Sequence, residues 1–382
     1  MLLGKYYNSL EIHRKDKIIF AHFLSPHRVI STCRVNGGLK NDLSMLFNHQ
    51  SCEPCNHNMQ TSRIITQSPL EYLQMICKKY DFDNDQCAFM GTAANMNYAI
   101  IKDMTFRDLT VISVCTGGVE TNAGRAGDSA NYYEYKGKFE KIEGSNPKLL
   151  EGTINTMVFI SKPLTDGALV RTIVTATEAK TAALQELNVN SRYSDGLATG
   201  TGTDQIGVAS QLIDDPPLTS AGKHSKLGEL IGKTVKDAVK QTLSLQNGMT
   251  PERQRSVKIH MERFGSDKKT MKNEICKLLD DDKKEVFINN FEMINRDPLT
   301  VASVAALIHL RDKISWGILP ETCLPEVFSQ YGAQIAVAIS GKIDRMSYYY
   351  NNLETVVKDV KSSNFSKFIY NAIALGFNEK WN

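Results

Sequence analysis

The sequence predicts an α+β protein: a layered sheet-and-helix body followed by a mostly helical C-terminal region. Three observations predict it. Short β-rich runs are mixed with helical stretches over the first 250 residues, the pattern turns mostly helical beyond Thr250-Pro251, and 42% hydrophobic residues in 382 suffice for a large core. In chain order, Lys17–Phe23, Val29–Val35, Asn97–Ile101 and Leu109–Cys115 read as strands and Pro69–Lys79 as a helix. Thr153–Ile160 is a further strand, after which Pro163-Leu164-Thr165 opens a long Ala-rich helix to about Leu187. The Gly/Thr-rich segment from Asp195 to Asp204 leads into another strand, Gln205–Gln211. In Ser225–Ser244 the apolar residues Leu227, Leu230, Ile231, Val235, Ala238, Val239 and Leu243 follow the i, i+3, i+4 spacing of an amphipathic helix. A domain boundary near Asn247–Thr250 separates residues 1–248 from 249–382, because a Gly and a Pro bracket the break.

Charge and hydropathy exclude several partners. Lys and Arg number 45 against 42 Asp and Glu, a net +3 without a long basic block, so the chain lacks the electrostatic footprint of a nucleic-acid binder. The longest apolar stretches, Val301–Leu310 and Ala333–Ile339, are about half of the roughly 20 residues that span a bilayer, so no membrane insertion is expected. MLLGKYYNSLEIHRKDK becomes charged too early for a secretory signal, which points to the cytoplasm. There the eight cysteines read as thiols or metal ligands before disulfides.

Chemistry is expected in the middle third, because 15 of the 25 glycines lie between Cys115 and Lys236. Two familiar nucleotide motifs fail there. Gly228–Thr234 has three residues between its glycines where a phosphate loop needs four, and it lies inside the amphipathic helix. The run Gly196, Gly200, Gly202, Gly207 carries Gln205 at the third glycine position and precedes a strand where a dinucleotide site needs a helix. In His49–His57, by contrast, Cys52, Cys55 and His57 have the residue types of a zinc site, or of packed thiols in a loop.

The strand Leu109–Cys115 delivers Cys115-Thr116-Gly117-Gly118, read as a turn whose exposed N–H groups suit an oxyanion. Asn122 and Arg125 follow closely. Gly152-Thr153-Ile154-Asn155-Thr156 opens a strand with two hydroxyls and an amide, which makes Thr156 a candidate nucleophile. In the Ala-rich helix Thr175, Thr177, Glu178, Lys180 and Thr181 gather despite the poor helix propensity of threonine. Gly222-Lys223-His224-Ser225-Lys226 places potential cations at a helix N-terminus, where the macrodipole disfavours them, so a ligand-facing role is expected.

The segments CTGGVETNAGRAGD (Cys115–Asp128), GTINTMVFISKPLTDGALVRTIVTATEAKTAALQELNVNSRYSDGLATGTGTDQIGVAS (Gly152–Ser210) and AGKHSKLGELIG (Ala221–Gly232) closely resemble the adenosylcobinamide amidohydrolase family (CbiZ). The resemblance covers about residues 15–265. It implies an amidohydrolase of cobamide salvage that cleaves the aminopropanol amide of adenosylcobinamide and releases adenosylcobyric acid. The substrate is then a corrinoid, a large ring that calls for a broad Gly-lined cleft, and the sequence requires no cofactor beyond a possible zinc. A non-catalytic corrinoid-binding or sensing protein on the same fold is the alternative, and a homo-oligomer is compatible with either.

The order SVCTGG, NTMVFISKPLTDGAL, YSDGLATGTGTDQIGVAS also resembles, more loosely, that of ornithine acetyltransferase. This second likeness implies Thr116 and Gly117 as oxyanion donors and Thr156 as a nucleophile freed by self-cleavage. The other route is an uncleaved enzyme in which Glu178 or His224 activates water. On either route Asn122, Arg125, Asn155, Lys180, Asp204 and Lys223 are the expected substrate-binding residues.

Overall fold

The computed structural model describes residues 1–52, 67–143 and 152–381. It divides into two compact units, Met1–Met249 and Thr250–Asn382.

The first unit begins with strands β1 (Leu2–Tyr6), β2 (Leu10–Lys15), β3 (Ile18–Phe23), β4 (His27–Ser31), β5 (Gly38–Lys40) and β6 (Met45–Gln50). Helix α1 (Pro69–Tyr80) precedes β7 (Cys87–Thr92), β8 (Ile100–Phe106) and β9 (Leu109–Gly117). The short β10 (Ala123–Gly124), β11 (Tyr132–Tyr135) and β12 (Lys138–Lys141) come next, then β13 (Ile154–Ile160), α2 (Asp166–Glu186), β14 (Gly200–Thr201), β15 (Gln205–Gln211) and α3 (Lys226–Asn247).

Two sheets stack face to face. One has the order β1-β2-β3-β6-β7 and the other β5-β4-β15-β13-β9-β8. Leu46, Ala88 and Met90 of the first meet Ile112, Val114, Met157 and Phe159 of the second in one buried cluster. The outer face of the first sheet packs Phe47 and Phe89 on Tyr72, Leu73 and Ile76 of α1. On the outer face of the second, Val111, Cys115 and Val158 meet α2 and α3. The layer order is therefore helix, sheet, sheet, helices, and each central strand is covered on both sides.

The expected α+β class is what the structure has, and several elements arise for local reasons visible in the sequence. The seven apolar positions of the amphipathic stretch are all buried in α3, which Ser225 caps by accepting the Gly228 N–H at 3.2 Å. Its C-terminus closes at Gly248 with φ 61°, a left-handed conformation that glycine takes without penalty. Thr165 caps α2 through the Ala168 N–H at 3.3 Å.

Other elements differ from expectation. β6, a central strand, and β7, at the edge of the same sheet, are strands that the sequence reading left out; Met45-Leu-Phe-Asn-His-Gln ends in three polar residues, yet all six are buried. The stretch expected as a strand from Asn97 starts as a short 3-10 turn, Met96–Tyr98, and extends only from Ile100. Most relevant for the site, β9 runs through Gly117 where a turn was expected. Gly117 is needed for packing there: a Cβ would sit 2.9 Å from Leu243 Cδ2 of α3.

The hairpin β11–β12 stands apart from the layers. Every residue of both strands is exposed, with Tyr133 and Tyr135 stacked at 6.1 Å.

The second unit is helical among its described residues, with principal helices Lys268–Cys276, Lys284–Asn295, Pro298–Ser315, Leu324–Ser340 and Ser362–Glu379. Its core is aromatic, built on Phe264, Phe287, Phe328, Phe365, Phe368 and Phe377. Asp312 is buried between Arg263 at 2.5 Å and Arg311 at 3.2 Å, so its charge is matched inside the core.

Candidate active site

Strand direction brings the sequence motifs to one end of the sandwich. β13 pairs antiparallel with β9 and parallel with β15, so the C-terminal end of β9 lies beside the N-terminal ends of β13 and β15. β6 and β7 end at the same side of the stacked sheet, since Gly91 N–H donates to Gln205 Oε1 at 3.1 Å.

A buried polar network fills this end. Thr116 and Asn155 are opposite each other across β9 and β13, and both face the other sheet. Asn155 Nδ2 donates to Gly91 C=O and to Asn48 Oδ1, both at 2.9 Å. Asn48 Nδ2 donates in turn to Thr116 Oγ1 at 2.7 Å. Asn48, Asn155 and Thr116 are each 2% exposed or less, so these bonds satisfy groups held almost wholly out of solvent. On the other side Thr153 Oγ1 donates to Thr203 C=O at 2.7 Å.

Asp204 closes the edge. It accepts from Ile154 N–H at 2.8 Å, from the Thr201 hydroxyl at 2.6 Å and from the Lys180 ammonium. Lys180 thus turns inward from α2 while its neighbour Glu178 turns out. The surrounding loops are tied to one another: Asn122 Nδ2 donates to Gly152 C=O at 2.9 Å and Asn122 Oδ1 accepts from Tyr193 Oη at 2.6 Å. Arg125 Nη1 donates to Leu197 C=O at 3.1 Å.

Of the expected site residues, Thr116, Asn155, Asp204 and Lys180 therefore stand in one cluster, with Asn122 and Arg125 bracing its loops. Three others stand elsewhere. Glu178 and Lys223 form an exposed ion pair at 3.0 Å on the outer helix layer, and His224 beside them is exposed. Thr156 follows Asn155 in β13, and successive strand residues point to opposite faces. Its hydroxyl accordingly faces the helices and accepts from Cys115 Sγ at 3.6 Å. Burial pushes the Cys115 thiol up to about 12. Thr116 and Thr156 are thus on opposite sides of the same sheet, and the pairing of one as oxyanion donor with the other as nucleophile is not a geometry this fold brings together. Gly117 also faces the helices, and two N–H groups of the expected turn already have partners: Gly118 N–H donates to Thr153 C=O and Val119 N–H to Asn247 Oδ1, both at 3.0 Å.

Asn48 and Tyr193 are participants that the sequence reading missed. Asn48 directly precedes the His49–His57 run, which draws attention for its metal-ligand residue types. His49 itself turns to the opposite face, where Nδ1 bonds Tyr72 Oη at 2.5 Å. Desolvation, with repulsion from Lys79 and Lys17, lowers His49 to about 3. Of the expected metal ligands, Cys52 is buried, whereas Cys55 and His57 lie outside the described residues. Among the described residues no three His, Cys, Asp or Glu are gathered so as to hold a metal ion. No described helix is long and apolar enough to cross a membrane.

A four-layer α+β body with a satisfied amide-and-hydroxyl network at one end is the frame into which the comparisons fit. The sequence pattern of adenosylcobinamide amidohydrolase matches residues 3–251, most of the chain and nearly all of the first unit. The chain belongs to the adenosylcobinamide amidohydrolase family, a family of hydrolases. It is also similar to the uncharacterized protein MJ1613 of Methanocaldococcus jannaschii, 38% identical over 181 residues that make up 46% of this chain and 70% of that one. The solved PH0078 protein from Pyrococcus horikoshii OT3 overlaps 62% of this chain and 83% of its own at 10% identity, with a TM-score of 0.31, too slight a likeness to bear on fold or function.

Proposed function

We propose that this protein hydrolyses the amide joining the aminopropanol arm to the corrin ring of adenosylcobinamide, giving adenosylcobyric acid and free aminopropanol. The observation that carries the reading is the family match over residues 3–251. The network at the end of the sandwich supports it chemically. Amide hydrolysis places negative charge on the carbonyl oxygen, and a fixed hydrogen-bond donor in a dry surrounding stabilises that charge. In this reading the Thr116 hydroxyl donates to the amide oxygen and Asn155 holds the strand edge beside it. The Lys180–Asp204 pair fixes the start of β13, and Asn122 and Arg125 shape the loops that receive the corrin. Water supplies the second carboxyl oxygen, the C–N bond breaks, and the amine leaves with a proton.

The chain acts uncleaved in this reading, because Thr156 stands across the sheet from Thr116. Incubation with adenosylcobinamide, followed by chromatography and mass spectrometry, tests the activity: aminopropanol and adenosylcobyric acid appear together, and bound but unconverted corrinoid refutes the proposal. The intact mass tests the route. A single 42.7 kDa species agrees with it, whereas fragments of 155 and 382 − 155 = 227 residues restore self-cleavage before Thr156.

A further inference from the structure

We propose that Asn48, a strand residue of the opposite sheet, is a positioning residue that holds the Thr116 hydroxyl as a hydrogen-bond donor towards the substrate amide. This rests on the amidohydrolase reading above. The direction of each bond in the network follows from the one before it. Gly91 C=O carries no proton, so the Asn155 atom 2.9 Å away is its Nδ2. That nitrogen has a second proton, and the Asn48 atom receiving it at 2.9 Å is Oδ1. With Oδ1 so placed, Asn48 turns its Nδ2 to Thr116 at 2.7 Å.

A threonine hydroxyl has one proton and two lone pairs. An N–H pointing at Oγ1 occupies a lone pair and forces the proton of Thr116 away from Asn48. Among the described residues no acceptor takes that proton. The backbone of Thr116 is committed too: Gly118 N–H bonds Thr153 C=O at 3.0 Å, and two residues back Thr116 takes the equivalent place opposite Asn155. The hydroxyl is the donor that remains. Because Asn48, Asn155 and Thr116 are almost wholly buried, solvent competes little for these bonds and the group is held against rotation. A donor aimed in advance needs no reorganisation as charge develops on the amide oxygen.

Asn48→Asp tests this with little change of shape. The variant keeps the acceptor for Asn155 but replaces the N–H facing Thr116 with a second acceptor, so the ionised carboxylate draws the Thr116 proton to itself. The expected result is a kcat for aminopropanol release about 10²-fold lower at pH 8, the size of losing one oxyanion donor, with KM and circular dichroism unchanged. Activity returns as pH falls, because the protonated carboxyl donates to Oγ1 again; the kcat profile of the variant gains an ionisation that the parent lacks. In a Thr116→Val background, Asn48→Asp produces no further loss. Wild-type kcat and pH profile in folded Asn48→Asp overturn the inference. Where that variant does not fold, Asn48→Ala is measured instead: a fall in kcat at unchanged KM supports the role, and an unchanged kcat overturns it. Full activity in Thr116→Val refutes the underlying placement of Thr116 in the site. Loss in Thr116→Val without loss in Asn48→Asp refutes the positioning role alone.

Discussion

Removing the Asp204 carboxylate should destabilise the first unit more than any other single change in the polar network. Asp204 accepts from Ile154 N–H at 2.8 Å, Thr201 N–H at 3.1 Å, the Thr201 hydroxyl at 2.6 Å and Lys180, and both members of the ion pair are only 14% exposed. Asp204→Ala leaves the Lys180 cation mostly out of water and three donors without an acceptor. Breaking a buried pair from one side costs about 3–5 kcal/mol, and the residual exposure of Lys180 places this case near ~3 kcal/mol. At roughly 2–4 °C per kcal/mol for a unit of this size, Tm falls by about 6–12 °C. Lys180→Met leaves Asp204 its three other donors, so its cost is smaller, about 1 kcal/mol. Thermal unfolding followed by circular dichroism measures both. The reasoning is refuted if Asp204→Ala melts within about 2 °C of the parent, which is below the lowest shift worked from, or if Lys180→Met is the more damaging of the two.

Further consequences are open to measurement. The unfolded chain protonates His49 near the ordinary value of about 6.5, but in the native protein burial, then Lys79 and Lys17, hold it at about 3. Stability present above about pH 6.5 is therefore lost as pH falls towards 3, with a slope of at most ~1.4 kcal/mol per pH unit. Urea midpoints at several pH values should show a shallower slope in His49→Gln, and equal slopes would count against this origin. In the helical unit, a Cβ on Gly376 would lie 2.5 Å from the Ala336 carbonyl oxygen, so Gly376→Ala should cost about 1–3 kcal/mol in denaturant unfolding. Replacing Tyr132–Lys141 by a Gly/Ser linker should leave Tm within about 2 °C, because both strands of that hairpin are wholly exposed. Thr156→Ala should retain aminopropanol release within about threefold, a barrier change under 1 kcal/mol; inactivity in a folded variant would return Thr156 to the reaction.

Much of the second sheet and its helices was legible because local sequence and burial agree there. β13 and β15 are built around the apolar stretches Met157–Ile160 and Ile206–Ala209 and α3 has a helical period, and an apolar side chain announces its own destination. The same rule hid β6. Asn48, His49 and Gln50 look like surface residues, yet they are buried because each finds a partner distant in the chain: Thr116 on β9, Tyr72 on α1 and the Met96 N–H, respectively. Glu178, Lys223 and His224 failed in the opposite direction: helical rotation carries Glu178 outward although Lys180 two residues on turns inward, and Lys223 and His224 lie in the exposed turn before α3.

Chain chemistry alone determined the class of fold, the Gly/Thr-rich motifs of the amidohydrolase family and the order in which they come. Only the tertiary structure decided which of those motifs meet. Side chains alternate across a strand, so one residue of register separates Asn155, inside the sandwich, from Thr156, against the helices. Sheet stacking then sets Asn48 against Thr116 across 68 residues of chain, a neighbour that no local pattern could supply.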